Sequence, residues 1–256
     1  VLGFSPAERG NLLHESLAII WQELETSDGL ANLDDPALQA MISNIVKEIV
    51  SKTQARNPRK LGKVYCDIEH NRLTQLLTEW LISERDRPSF KVIAIEQESD
   101  IEFAGLRLKL RVDRIDEFFN GDRLIIDYKT GNAHSKSWQG DRITEPQLPL
   151  YAVTQGNISA ISFAQINRKQ QKWDGLGELQ NASLNQPGVK PSDNWQHQLQ
   201  EWHTQLQKLA DDFISGDARV DFKDKTVESY ATDLIPLTRL PDADSLQLIA
   251  VKGDRV

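Results

Sequence analysis

The sequence predicts a mixed α/β protein: helices first, then a sheet built around one hairpin, then helix and strand in alternation. Three observations carry this. The first 88 residues hold long apolar periodicities of helical spacing. Residues 105–112 then alternate strictly, Leu106, Leu108, Leu110 and Val112 against Gly105, Arg107, Lys109 and Arg111. That is the two-residue period of a half-buried strand. Asn120-Gly121 follows, a strong hairpin signal, and leads into the apolar run ending Ile125-Ile126-Asp127-Tyr128-Lys129.

The elements follow in order. Ser5-Pro6-Ala7-Glu8 places an N-cap, a proline at the first helical position and an acid at the third, so a helix starts there and runs to about Glu25. Asp35-Pro36 opens a second helix through Ser51. Residues 52–63, with Asn57-Pro58 and Gly62, read as a loop. A third helix spans 67–85, with Leu73, Leu76, Leu77, Trp80 and Leu81 on one side. Strands are expected at 90–96, 105–112 and 123–129, a short helix at 145–155 and a strand at 159–167. Residues 170–193 are polar and carry Pro and Gly, the composition of a loop excursion. A last helix runs from about Asn194 to Ile214. This organisation is read as one domain over 1–256, with a helical part (1–88), a sheet core (89–170) and a C-terminal helix and tail (171–256). The first residue is Val1, not Met, which reads as a piece of a longer protein.

Composition narrows the function classes. Hydrophobic residues make up 39% and charged residues 27%, the balance of a globular protein, and no apolar run approaches a membrane span. Cys66 is the one cysteine, so no internal disulfide framework forms. This and the lack of a signal pattern suggest the cytoplasm and no membrane partner. The net charge of −8 speaks against a strongly basic nucleic-acid binder. Local charge is different. Lys52, Arg56, Arg59, Lys60 and Lys63 form one basic cluster, Arg107, Lys109, Arg111 and Arg114 a second, and Arg168, Lys169 and Lys172 a third. Singly these are solvated surfaces; jointly they would line a groove for a polyanion.

The chemistry concentrates at Asp127 and Lys129. Two apart on a strand, they share a face, and such charges are seldom buried unless paired or coordinating something. Alone, the pair reads equally well as a structural ion pair. Asp113 ends the alternating strand. A two-residue turn at Asn120-Gly121 would set Asp113 opposite Tyr128, on the wrong face. The apolar pattern also changes phase there, since Val112 is even and Ile115 odd. Either a bulge near Asp113 or an odd-length loop would bring it onto the face of Asp127 and Lys129. Two carboxylates sharing that face would repel without a cation between them, and Mg²⁺ suits oxygen ligands.

These residues resemble the PD-(D/E)XK nucleases, in particular the RecB-type branch. Val112-Asp113-Arg114-Ile115-Asp116 and Asp127-Tyr128-Lys129-Thr130-Gly131 match its two catalytic strands. Arg9-Gly10-Asn11-Leu12-Leu13-His14 resembles its N-terminal helix, and Gln147-Leu148-Pro149-Leu150-Tyr151 its Gln-x-x-x-Tyr motif. The resemblance implies a restriction-endonuclease-like core and a metal-dependent DNA exonuclease. His14, Asp113, Asp127 and the Tyr128 carbonyl would hold one or two Mg²⁺ or Mn²⁺ ions. Lys129 would position or activate the attacking water, Gln147 and Tyr151 would guide a single strand, and Arg9 would hold phosphate. The layout further implies a nuclease domain attached to a helicase-like domain or subunit in DNA repair or recombination, acting on single strands or duplex ends. Alternatives are a structure-specific endonuclease and a nuclease fold kept for binding or scaffolding.

Many such relatives carry an iron–sulfur cluster on three cysteines near the C-terminus. Ser229, Thr232 and Thr238, before Arg239, hold that spacing without a thiol, so no cluster is expected. Leu234, Ile235 and Leu237 would pack the tail instead. Glu96 reads as a surface acid or ion-pair partner rather than a ligand, and Asp116 as the partner of a nearby Arg. His70, His134, His197 and His203 have no motif around them and read as surface residues. Trp138, in the loop after the catalytic strand, is the tryptophan placed to stack on a base.

Overall fold

The computed structural model describes residues 2–178 and 186–217. Helix α1 (Pro6–Leu24) begins where its capping box sits. The Glu8 N–H donates to Ser5 Oγ at 3.3 Å and the Ser5 N–H to Glu8 Oε2 at 2.7 Å. A short helix α2 (Ser27–Ala31) follows. Helix α3 (Asp35–Arg56) is capped by Asp34, which accepts from the Ala37 N–H at 2.8 Å. It outruns the sequence reading by five residues, because Lys52-Thr53-Gln54-Ala55-Arg56 contains no breaker and Asn57-Pro58 supplies the stop. Helix α4 (Lys63–Glu84) starts directly after Gly62, earlier than expected.

Strands β1 (Phe90–Phe103) and β2 (Leu106–Phe118) form a long antiparallel hairpin closed by Ala104-Gly105, at φ +51° and +80°. Two positive-φ residues in a two-residue loop match the twist of the flanking strands. Strand β3 (Arg123–Lys129) pairs antiparallel with β2. Helix α5 (Gln147–Thr154) then leads to β4 (Ala160–Ile166), which runs parallel to β3 and is buried along its whole length. Among the described residues, strands β5 (Gln171–Gly177) and β6 (Val189–Pro191) bring the sheet to six strands in chain order, and helix α6 (Trp195–Ile214) follows.

Within the expected loop at 170–193, residues 171–177 and 189–191 are strands instead. Gly175 and Gly177 explain why its pattern was hidden. A Cβ on Gly175 would lie 2.6 Å from the Ile161 carbonyl oxygen, and one on Gly177 only 2.3 Å from Ala160 Cβ. Close pairing with β4 excludes the β-branched residues that announce a strand.

Apolar side chains of α1, α3 and α4, among them Leu13, Leu17, Trp21, Ile42, Leu73 and Trp80, pack on one sheet face through Leu124, Ile126, Ala164 and Ile166. The chain falls into two compact units, Val1–Gln207 and Lys208–Val256. The candidate site lies in the first. The tail positions Ser229, Thr232, Leu234, Ile235, Leu237, Thr238 and Arg239 lie outside the described residues. No helix among the described residues is long and apolar enough to cross a membrane.

Candidate active site

Strand register brings the acids together. β2 and β3 pair Arg114 with Ile126, Ile115 with Ile125 and Glu117 with Arg123. The Phe118 N–H donates to the Asp122 carbonyl at 2.9 Å, and the Gly121 N–H to the Phe118 carbonyl at 2.9 Å. Three residues thus form the loop, with Gly121 at φ +85°. This odd-length loop is one of the two devices the phase change called for. One step further along the same register, Asp113 stands beside Asp127. Its Oδ2 accepts the Tyr128 N–H at 2.7 Å.

α1 delivers His14 to the same place. His14 Nδ1 is 3.3 Å from Asp113 Oδ1, and Nε2 is 2.9 Å from the Tyr128 carbonyl oxygen. Both partners are acceptors, so this arrangement suits an imidazolium donating from both nitrogens. Burial opposes that charge, but the hydrogen bond and charge of Asp113, with Asp127 and Glu96, raise the His14 pKa above its ordinary value. Asp127 is pushed up to about 6 by burial and by the Asp113 charge, against the pull of Lys129 and His14. Lys129 Nζ stands 2.9 Å from Asp127 Oδ2, close enough for an ion pair but without hydrogen-bond alignment. Burial opposes the Lys129 charge, yet Asp127 holds its pKa above the usual value.

Glu96 joins this group. His14, Glu96 and Asp113 each offer a donor atom within 4.8 Å of the other two. Glu96 also pairs with Arg111, so the ion-pair reading of the sequence holds alongside the new one. Its backbone lies at φ +48°, a conformation that side chains other than glycine rarely adopt. Strain of this kind concentrates where a side chain must be aimed. Nothing in the sequence announced it beyond an acid closing an apolar run.

The family model of the PD-(D/E)XK nuclease superfamily matches residues 3–225. The chain belongs to this superfamily. A solved structure titled "Crystal structure of SSO0001" is similar at 15% identity, over 81% of this chain and 74% of that one, with a TM-score of 0.31. A comparison with curated proteins finds no match. PD-(D/E)XK enzymes are metal-dependent nucleases. The donor set here, carboxylate oxygens with one imidazole, fits a hard divalent cation. Asp127 supports that fit, because a buried carboxylate beside a second acid is stabilised in its ionised form by added positive charge.

Behind the candidate site lies a second ionic cluster, on the opposite face of the same strands. Arg114 donates to Asp116 Oδ1 and Oδ2 (2.6 and 2.7 Å), to Glu84 Oε2 (2.9 Å) and to the Tyr128 hydroxyl (3.1 Å). Arg87 donates to Glu84 Oε2 and Asp116 Oδ2, both at 2.6 Å. Trp80 Nε1 adds a bond to Glu84 at 2.6 Å. The Arg114 guanidinium lies 3.9 Å from the Trp21 ring centroid, and that of Arg87 4.1 Å from that of Phe90. Tyr128 connects the two sides. Its hydroxyl is fixed by Arg114, while its backbone N–H and carbonyl hold Asp113 and His14. Asp116 thus has the arginine partners expected of it, whereas Glu84 and Arg87 had no signal in the sequence.

Gln147, expected to guide the strand, is exposed, and its Nε2 donates to the Arg111 carbonyl at 2.7 Å. The buried Tyr151 has its hydroxyl 3.2 Å from Ser99 Oγ. Arg9 Nε donates to Glu69 Oε2 at 3.0 Å, and 46% of its side chain stays exposed. For Trp138 the expectation fails. It lies in a 3₁₀ turn, Ser135–Trp138, at 0% exposure, with Phe163 4.5 Å from its ring and Trp202 edge-on. No face remains for a nucleobase; the sequence showed a loop tryptophan but not the aromatic pocket that receives it.

Proposed function

We propose that the protein is a RecB-type, metal-dependent DNA exonuclease, working in the cytoplasm with a helicase-like domain or subunit in repair or recombination. The observation that carries this is the convergence of His14 from α1 with Asp113 and the Tyr128 carbonyl, beside Asp127 and Lys129. The five positions come from three separate segments, and a structural ion pair would not need them together.

His14, Asp113, Asp127 and the Tyr128 carbonyl would hold Mg²⁺ or Mn²⁺, with Glu96 available as a further ligand. When bound, the cation supplies Lewis-acid stabilisation of the charge that develops on the phosphate and on the leaving 3′-oxygen. Lys129, its pKa raised, is an ammonium near neutrality. It therefore orients the attacking water by donating a hydrogen bond and neutralises a phosphate oxygen. Asp127 holds that ammonium in place. Gln147, anchored through its amide to β2, keeps its carbonyl oxygen available beside the strand path, and Tyr151 supports the same helix. Arg9, oriented by Glu69, offers its remaining N–H groups to a phosphate.

Labelled single-stranded DNA digested with Mn²⁺ tests the reading. Wild type should degrade it, with Asp127→Ala and Lys129→Ala slower by about 10²–10³-fold, the range for removing one preorganised charge-stabilising group. Equal background in all three would overturn the catalytic reading and favour a nuclease fold used for binding or scaffolding, which the net charge of −8 also suits. Cleavage of closed circular DNA would favour a structure-specific endonuclease over an exonuclease.

A further inference from the structure

Beyond Lys129 the sheet carries a second feature that the catalytic reading leaves unused. β3, β4 and β5 align Lys129 with Gln165 and Gln165 with Lys172. Side chains in register across a sheet share a face, so Lys172 lies on the face of the catalytic lysine, about two strand spacings or ~10 Å away. Just past this row, the loop after β3 and the turn between β4 and β5 enclose an open depression of about 510 Å³, lined by Thr130, Asn132, Asn167, Arg168, Lys169 and Gln170.

Both walls of the depression are fixed. Asn167 Oδ1 accepts the N–H groups of Lys169 and Gln170, each at 3.0 Å, and the Asn167 N–H donates to the Gln170 carbonyl at 3.2 Å. Arg168 and Lys169 are therefore the two tip residues of a tight turn. On the other side, Gln165 Nε2 donates to the Ala133 carbonyl and ties the loop after β3 to β4.

Among the described residues, the cations around this depression lack an acid partner. Lys52, Lys60, Arg85, Arg111 and Arg123 each have a carboxylate partner. Among the described residues no ion pair engages Arg168, Lys169 or Lys172. In a chain of net charge −8, three unpaired cations beside amide and hydroxyl donors form a localised anion-attracting surface.

We infer that this depression seats a backbone phosphate of the nucleic-acid strand next to the one being cut. It rests on the nuclease reading above. The turn contributes charge through Arg168 and Lys169, and Thr130 and Asn132 contribute neutral donors. Lys172 bridges the interval to Lys129. The site reads the sugar–phosphate chain and no base, so DNA and RNA strands of equal length are both expected to occupy it.

The test is the double variant Arg168→Gln/Lys169→Gln in the full chain, with Arg123→Gln as a charge-removal control at the far end of β3. Cleavage of a short labelled oligodeoxynucleotide with Mn²⁺ gives KM and kcat, and binding across a salt series gives the slope of log K against log salt. The double variant should unfold at the wild-type Tm. Its KM should rise by roughly tenfold at unchanged kcat. Its salt slope should fall by about 0.7 for each single-strand phosphate that the variant leaves without a cation. An RNA oligonucleotide should lose affinity by the same factor. Unchanged KM and slope in a wild type that does cut DNA would overturn this subsite while leaving the nuclease reading intact. A wild type with no Mn²⁺-dependent cleavage would overturn the nuclease reading itself, and the subsite with it.

Discussion

Strands β2 and β3 bury ionic clusters on both faces, and the two are built on different principles. On the helix-packed face, Arg87 and Arg114 meet Glu84 and Asp116, two cations for two anions, and every guanidinium is bonded or stacked. On the other face, Asp113, Asp127 and Glu96 meet Lys129, Arg111 and His14, and the histidine must gain a proton to count. The first cluster is balanced as folded. The second is balanced only by a proton on His14, is backed by a strained Glu96, and holds one carboxylate with its pKa at about 6. Burial on the first face is structural. Under the proposed function, the unbalanced face would use its excess negative charge to hold a divalent cation.

Removing one side of either cluster should produce opposite results. Arg114→Met leaves Glu84 and Asp116 short of a cation inside the core. It should lower stability by about 3–5 kcal/mol, the cost of breaking one partner out of a buried pair, read from the denaturant midpoint. Asp127→Asn should instead stabilise the metal-free protein near pH 8, by about 1–2 kcal/mol, because it relieves a buried like-charge repulsion. Destabilisation of similar size in both variants would erase the distinction.

Acid titration probes the same difference. The folded-state pKa of Asp127, about 6, lies above its ordinary 3.8. The folded state therefore binds this proton more tightly than the unfolded state, and stability falls as pH rises from about 4 through about 6. His14 acts in the same sense. Its folded pKa lies above 6.5, so its contribution is complete below that value and is lost as pH rises through the folded one. Unfolding in chelator should show both losses, and Asp127→Asn should lack the lower one. Mn²⁺ should reverse the trend, stabilising by about 2.7 kcal/mol at one hundred times its dissociation constant. That gain should grow between pH 6 and 8, as measured by Tm.

The mildest variant concerns Tyr128, where the two clusters meet. Tyr128→Phe deletes the bond to Arg114 and leaves the backbone bonds to Asp113 and His14 in place. A loss of about 1 kcal/mol is expected, with kcat within a few-fold of wild type. A large fall in kcat at normal stability would show that the hydroxyl positions the site.

Much of this was legible in the sequence because it is local. The capping box at Ser5 starts α1 where expected, and that start fixes the turn of helix on which His14 lies. The phase change between Val112 and Ile115 called for an odd count at the hairpin. What stayed hidden depends on partners distant in the chain. Glu84 and Arg87 look like an ordinary charged helix end until β2 brings Arg114 and Asp116 against them. Trp138 reads as a loop aromatic until Phe163 and Trp202 enclose it. β5 was masked because its close approach to β4 requires Gly175 and Gly177, residues that normally signal a turn.

The loop of Phe119, Asn120 and Gly121 limits how such an enzyme can vary. Loops at a surface ordinarily tolerate a residue gained or lost. Here β2 is already pinned by β1, so changing the count by one would slide β3 and exchange its two faces. Parity, rather than any side chain in the loop, decides whether Asp127 meets Asp113 or is driven among the apolar side chains of the helices.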